Sequence, residues 1–73
     1  MSVVFLDRES GLDLTLQRTK ERFMNGRRYR YFNFRNEDGE FLTFSGEELL
    51  DEFRYLPHSE EAQKLKAELQ GEL

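Results

Sequence analysis

The chain has 73 residues and a mass of 8.8 kDa, the size of one small domain. It contains no cysteine and one histidine, which excludes disulfides, thiolate nucleophiles and metal sites built from cysteine or several histidines. The longest apolar run spans residues 3–6, far too few for a membrane span, so we expect a cytoplasmic protein without membrane contact. Charged residues make up 36% of the chain and aromatic residues 14%, which predicts a small aromatic core under a charged surface.

The net charge of -4 at pH 7 hides an uneven distribution along the chain. Residues 18–35 hold seven basic side chains and one acidic one, whereas residues 36–73 hold three basic and eleven acidic side chains. A bipolar molecule of this kind steers its encounters with charged partners. The alternative is internal neutralisation, in which the acidic part of the chain folds back over the basic part and forms surface ion pairs.

The beginning of the chain predicts two strands. Residues 2–7 are mostly apolar and β-branched, as in a short strand. At the start of residues 12–23, three leucines alternate with polar residues, which is the period of a half-buried strand. A helix over residues 12–24 is the alternative, because a serine precedes this segment and a glycine follows it.

Two turn signals place a third and a fourth strand. Asn25-Gly26 is the dipeptide most typical of a two-residue hairpin, so a third strand is expected over residues 27–35. A second turn over residues 36–39 leads into a fourth strand over residues 40–45.

The loop length of the second hairpin decides which side chains share a face. A two-residue loop would mix the apolar and polar faces of the two strands. A three-residue loop, closed by a glycine, sets Phe34 opposite Leu42. It also sets Phe32 opposite Phe44, so that all four side chains lie on one buried face. We therefore expect the three-residue loop.

The remaining chain predicts helices. Ser45 and Glu48 have the spacing of a capping box, and apolar residues follow at helical spacing, so a helix is expected over residues 46–55. Ser59 can cap a second helix over residues 60–70. The apolar stripe of this second helix is narrow, so the helix must dock on the sheet, bind a partner or fray.

The predicted fold is α+β, a three- or four-stranded antiparallel β meander followed by one or two C-terminal helices. It forms a single small domain over residues 1–73. Six apolar residues are expected at the centre of its core: Phe32, Phe34, Leu42, Phe44, Leu49 and Phe53.

No catalytic arrangement stands out in the sequence. His58 follows a proline in a predicted turn, where a solvated loop residue is expected. The carboxylates lie in first helical turns and on solvated faces, where helix capping and solubility explain them. The sequence also lacks a glycine-rich phosphate loop and a calcium-loop pattern. We therefore expect a protein without enzyme activity, cofactor or metal.

The segment that combines arginine with tyrosine is the candidate partner-binding site. If Phe32 and Phe34 face the core, Tyr29 and Tyr31 lie on the open face of the sheet. Tyrosine and arginine dominate the hot spots of protein interfaces, and they also suit single-stranded nucleic acid by stacking on bases and pairing with phosphates. The purely structural alternative is that these residues form an exposed strand that binds no partner. The candidate partner-binding residues are Arg27, Arg28, Tyr29, Arg30, Tyr31 and Arg35.

One local resemblance runs from Tyr31-Phe32-Asn33-Phe34-Arg35 through the second turn to Phe44-Ser45-Gly46-Glu47-Glu48-Leu49-Leu50. This segment resembles the strand–turn–strand–helix end of the single-strand-binding transcription coactivator family. The resemblance implies a sheet followed by a helix, dimerisation through that helix, and binding of melted DNA on a basic sheet surface.

In length and character the whole chain also resembles small phage-encoded proteins that bind host machinery, notably RNA polymerase. This resemblance implies a regulator that inhibits or redirects its target by steric occlusion or by locking a conformation, in the host cytoplasm.

The combined prediction is a small non-catalytic regulatory protein that binds a protein machine, with bacterial RNA polymerase as the favoured target. The alternative is a single-stranded nucleic-acid-binding module that uses the strand over residues 27–35. A homodimeric structural protein is the third hypothesis. The C-terminal helix or residues 1–6 would supply an auxiliary contact.

Overall fold

Residues 2–72, the part of the chain that the computed structural model describes, form five antiparallel strands and two helices. The sheet order is β4-β3-β2-β1-β5. This confirms the predicted α+β class, an antiparallel meander with a C-terminal helix, and adds a fifth strand. Residues 1 and 73, which the predicted domain includes, lie outside the described residues. The elements in chain order are β1 (Val4–Asp7), β2 (Asp13–Met24), β3 (Arg27–Asn36), β4 (Phe41–Ser45), α1 (Gly46–Leu49), β5 (Tyr55–Pro57) and α2 (Glu60–Glu72).

The segment over residues 13–24 is a strand, so the alternative of a helix is wrong. β2 pairs with β3 along its length, from Leu14 at one end to Met24 at the other. Asn25 and Gly26 have φ angles of 52° and 76°, the left-handed values that a two-residue type I′ turn requires. The local chemistry of this dipeptide therefore sets the pairing of the two longest strands.

The hairpin between β3 and β4 has the three-residue loop that the apolar pattern predicts. Phe34 lies opposite Leu42, and Phe32 lies opposite Phe44. The loop closes through Gly39 at a φ of 85°, a conformation that favours glycine because a side chain would clash there. The predicted register is confirmed.

Helix α1 is one turn long, and the helix predicted over residues 46–55 is wrong beyond that turn. Its start is as predicted: the Ser45 hydroxyl accepts a hydrogen bond from the Glu48 amide at 3.2 Å, and the Glu48 carboxylate accepts one from the Ser45 amide at 3.0 Å. The chain then turns at Asp51, whose backbone carbonyl accepts a hydrogen bond from the Tyr55 amide at 2.9 Å. An aspartate side chain also competes for backbone amides near it, which disfavours continuing a helix.

The chain after this turn forms β5 on the free edge of β1. Tyr55 lies opposite Asp7, and its buried ring lies 5.0 Å from the Phe44 ring between centroids. The pairing satisfies backbone groups of β1 that a longer helix would leave open. Edge pairing and ring burial thus outweigh the helical spacing of the apolar residues in this segment.

A chain of aromatic rings crosses the core between the sheet and the helices. The centroids of Phe5 and Phe34 are 5.8 Å apart, and those of Phe34 and Phe44 are 5.7 Å apart, both in edge-to-face geometry. Such pairs add about 0.5–1.5 kcal/mol beyond the area they bury. The buried apolar residues are Phe5, Leu14, Phe32, Phe34, Phe44, Leu49, Tyr55, Ala62, Leu65 and Leu69.

Two members of the predicted core are placed differently. Phe53 lies in the turn before β5 and is 90% exposed, because the predicted helix that would have carried it inward ends early. Leu42 is half-buried and packs at the margin of the core. Tyr55 is buried in the core where Phe53 was expected.

Helix α2 docks on the sheet through its narrow apolar stripe. Ala62, Leu65 and Leu69 are all buried. The Ser59 hydroxyl accepts hydrogen bonds from the Ala62 amide at 3.1 Å and from the Val4 amide at 3.0 Å, so it ties the helix start to β1. Within residues 2–72, neither helix has the length and hydropathy needed to cross a membrane.

Asp7 is a charged residue in the interior, with 5% of its surface exposed. Its carboxylate accepts a hydrogen bond from the Glu9 amide at 3.0 Å and lies 3.4 Å from the Arg54 Nε atom. Burial by itself would raise the pKa of the Asp7 carboxyl, but these hydrogen bonds and the Arg54 charge outweigh it, and the pKa lies below its usual value. The contact links the turn after β1 to the turn before β5.

We expect Phe34→Ala to lower the free energy of unfolding by about 3–5 kcal/mol, because it removes the ring at the centre of the aromatic chain. Phe53→Ala is the matched control, since the same change at an exposed position should cost less than about 0.5 kcal/mol. Urea unfolding followed by circular dichroism measures both. Equal losses from the two variants would contradict the core assignment.

The lowered pKa of Asp7 predicts a specific pH dependence. Ionised Asp7 contributes stability above its unfolded-state pKa of about 3.9, and this contribution is lost as the pH falls through the lower folded-state pKa. Below about pH 4, the free energy of unfolding of the parent should therefore fall more steeply than that of Asp7→Asn. Urea titrations between about pH 2 and 6 measure the two profiles. Parallel profiles of the parent and Asp7→Asn would exclude this role of Asp7.

Candidate partner-binding surface

The outer half of the β2–β3 hairpin projects beyond the rest of the sheet. β4 pairs with β3 only as far as Tyr31, and β1 pairs with β2 as far as Thr15. Within the described chain, residues 18–30 are thus a two-stranded ribbon without a further strand on either side, here named the β2–β3 ribbon. Residues 17–28 are all exposed, and the molecule measures 37 Å along its long axis against 24 and 22 Å across.

Alternation along β3 divides its side chains between two faces. Phe32 and Phe34 are buried on the side that the helices cover. Tyr29 and Tyr31 therefore lie on the opposite side, here named the open face, and both rings are half-buried. Along its length, β3 contributes to the open face Arg27, Tyr29, Tyr31, Asn33 and Arg35, and their partners on β2 are Met24, Arg22, Lys20, Arg18 and Thr15.

A bulge in β2 brings three cations to the open face. The register between β2 and β3 shifts between Leu16 and Arg18, with Gln17 as the extra residue. Without this shift, the even-numbered Arg18 would continue the core face of Leu16, because side chains alternate with a period of two. The bulge reverses the alternation, so that Lys20 and the next basic residue, Arg22, also join the open face.

The cations of the open face have no acidic partner among residues 2–72. None of the ion pairs in this part of the chain involves Arg18, Lys20, Arg22, Arg27 or Arg35. Two of the guanidinium groups lie over aromatic rings instead: that of Arg27 is 5.7 Å from the Tyr29 ring centroid, and that of Arg35 is 5.7 Å from the Phe41 ring centroid. Stacking of this kind orients a guanidinium group without neutralising its charge.

Arg28 and Arg30 lie on the other side, where the end of α2 supplies carboxylates. Arg30 Nη1 is 2.9 Å from the Glu72 carboxylate and 3.3 Å from that of Glu68. Arg28 pairs with Glu21 across the ribbon and lies 3.8 Å from Glu72. The hydrogen bond to Glu21 raises the pKa of Arg28 above its usual value. The internal neutralisation considered from the charge pattern thus occurs, and it occurs on this side of the sheet.

The six residues predicted from the sequence to bind a partner therefore lie on two different sides of the sheet. The open face carries Arg27, Tyr29, Tyr31 and Arg35, whereas the remaining two arginines contact α2. Three basic residues of the open face were missed: Arg18, Lys20 and Arg22. The signal for two of them was present, because a two-residue Asn25-Gly26 turn pairs residue 22 with 29 and residue 20 with 31, and cross-strand partners share a face.

A groove of about 420 Å³ runs along the edge of β3 beyond the end of β4. Its lining joins guanidinium and phenol groups of β3 to the start of α1 and to Leu69 and Glu72 of α2. The Ser45 hydroxyl on this lining is engaged as the cap of α1. Guanidinium, phenol and leucine side chains of this kind can hydrogen-bond to and pack against the side chains of a partner.

His58 lies at the opposite end of the sheet from the ribbon. Its Nδ1 atom is 2.8 Å from the Asp13 carboxylate, and its backbone amide donates to the Val4 carbonyl at 2.8 Å. Residues 2–72 contain no group of three or more His, Cys, Asp or Glu side chains that could hold a metal ion.

Comparison of the chain with family models, with curated proteins and with solved structures finds no match. The two resemblances of the sequence therefore stay predictions, and the geometry of the open face is the basis for the function proposed below.

Proposed function

We propose that this protein is a small non-catalytic regulatory module that binds a protein machine through its open face. The favoured target is bacterial RNA polymerase, as the resemblance to phage-encoded regulators implies. The observation that supports the proposal is the group of five cations without acidic partners around two half-buried tyrosine rings.

The physical logic of this face is that of a protein interface. Tyr29 and Tyr31 bring large rigid rings that lose little side-chain entropy on binding, and arginine is the charged residue most enriched at interface hot spots. The surrounding cations complement an acidic patch on the partner and accelerate the encounter. Ion pairs within the chain already engage Arg28 and Arg30, so these two contribute less to binding than the open face.

Replacing both Tyr29 and Tyr31 by alanine should weaken binding to purified RNA polymerase by more than 1 kcal/mol, or about fivefold. Because the rings lie outside the core cluster, the free energy of unfolding should fall less than in Phe34→Ala. Biolayer interferometry measures the first quantity and urea unfolding the second. Phe53→Ala is the control, since it removes an exposed ring from the turn before β5.

Undiminished binding by the double variant would exclude the open face as the interface. A parent protein that fails to bind RNA polymerase would exclude the favoured target. A pull-down from bacterial lysate with and without nuclease then tests the wider proposal, which requires a protein partner that survives nuclease treatment.

Binding of single-stranded nucleic acid by the same face is the second candidate. The same tyrosine rings and cations favour it, because sites for single strands combine aromatic rings that stack on bases with cations that pair with phosphates. Five phosphate contacts would give a slope of log affinity against log salt of about −3.5, at about −0.7 per phosphate.

We expect the parent to bind a mixed-sequence single strand no tighter than micromolar at about 0.15 M salt, because the net charge of -4 opposes a polyanion. Fluorescence anisotropy against salt concentration checks this. Submicromolar binding with a slope near −3.5 would place the second candidate first.

A further inference from the structure

The β2–β3 ribbon differs from the rest of the surface in three ways at once. It projects as two paired strands, its residues 18–28 are all exposed, and residues 18–30 hold six basic side chains against one acidic one. Its tip is apolar: Phe23 is 73% exposed and Met24 is 47% exposed, on opposite faces next to the turn. The Phe23 ring lies outside the core that residues 2–72 form.

Cations lie on both faces of this ribbon. The open face carries Arg18, Lys20, Arg22 and Arg27, and the other face carries Arg28, whose side chain is 46% exposed. Arg30 lies deeper, with 14% of its side chain exposed against the end of α2. A flat partner would meet only one of these faces, whereas a partner that surrounds the ribbon on both sides would meet both.

We propose that the β2–β3 ribbon enters the major groove of a DNA duplex. B-form DNA has a major groove about 12 Å wide that admits a two-stranded β-ribbon, and its two walls are lines of phosphates. Sheets stacked face to face lie about 10 Å apart, which is the thickness of a sheet with its side chains, so a ribbon with its two faces toward the walls fills a groove of this width. Arg22 on one face and Arg28 on the other then contact phosphates on opposite walls.

The apolar tip fits the floor of the groove. Phe23 and Met24 would contact thymine methyl groups and base edges there, a contact that needs no charge.

The edges of the ribbon carry lysine and arginine, which discourage pairing with another strand and so argue against a peptide added to the ribbon edge. On binding, the Arg28 guanidinium group leaves its exposed ion pair with Glu21 and pairs with a phosphate instead. This inference goes beyond the proposed function: it shares Arg18, Lys20, Arg22 and Arg27 with the open face and adds the opposite face and the tip of the ribbon.

The test is fluorescence anisotropy of the full chain with a labelled DNA duplex of about 20 base pairs and, separately, with each of its two single strands. We expect micromolar binding to the duplex at about 0.05 M salt, at least threefold tighter than to either strand. Five phosphate contacts predict a slope of log affinity against log salt of about −4.5.

Three variants and one control identify the surface. Arg22→Gln and Arg28→Gln should each weaken duplex binding about three- to tenfold and reduce the slope by about 0.9, because each removes one phosphate contact. Phe23→Ala should weaken binding without changing the slope, since its contact releases no counterion. Arg8→Gln, in the exposed turn after β1, removes the same charge outside the ribbon and should change affinity less than twofold.

Three outcomes would overturn the proposal. Single strands that bind as tightly as the duplex, with Arg28→Gln silent, would assign nucleic-acid binding to the open face alone. Equal effects of Arg8→Gln and Arg22→Gln would show general electrostatic attraction. The absence of saturable duplex binding below about 100 μM at about 0.05 M salt would exclude the duplex as a partner. None of these results depends on whether RNA polymerase binds.

Discussion

The edge-to-face chain of four aromatic rings is the contact on which the rest of this molecule depends. Phe5, Phe34, Phe44 and Tyr55 come from four different strands, so their contacts join the start, the middle and the end of the sheet. A chain of this length buries only a modest share of its surface, and a large part of the apolar contribution must come from these rings. α1 is a single turn and α2 is a short helix that would be marginal alone, so both depend on this platform for docking.

Docking of the helices on one side of the sheet also divides the charge of the protein. The acidic residues at the end of α2 reach the arginines on the covered side, and Arg30 lies within ion-pair distance of both Glu68 and Glu72. The other side receives no helix and keeps its cations without acidic partners among residues 2–72. A protein with a net charge of -4 thus presents a basic face and a basic ribbon. An anionic partner meets this local distribution at close range, while the net charge opposes its approach from farther away.

The bulge at Gln17 shows how one residue sets the character of this face. Leu14 and Leu16 direct the inner half of β2 into the core, and Arg18 and Lys20 lie on the open face of its outer half. An uninterrupted strand would place all four on one side. Sequence alternation predicted the placement of Tyr29 and Tyr31 correctly, because β3 runs without interruption from the ribbon into the core. Alternation from the leucines of β2 assigns its basic residues to the wrong face, because a bulge has no reliable signature there. The register of the Asn25-Gly26 turn does indicate the face of Lys20 and Arg22.

The features that depend only on neighbouring residues follow directly from the sequence. The type I′ turn at Asn25-Gly26, the glycine-closed loop between β3 and β4 and the capping box at Ser45 are each set by backbone sterics and hydrogen bonds within a few residues. Long-range contacts set the path after α1 and the pairing of Arg30 with Glu72, 42 positions away. The physical reason is that the free edge of β1 and the position of α2 exist only once the sheet has formed. Local preference for a helix after α1 was then weaker than strand pairing and the burial of Tyr55.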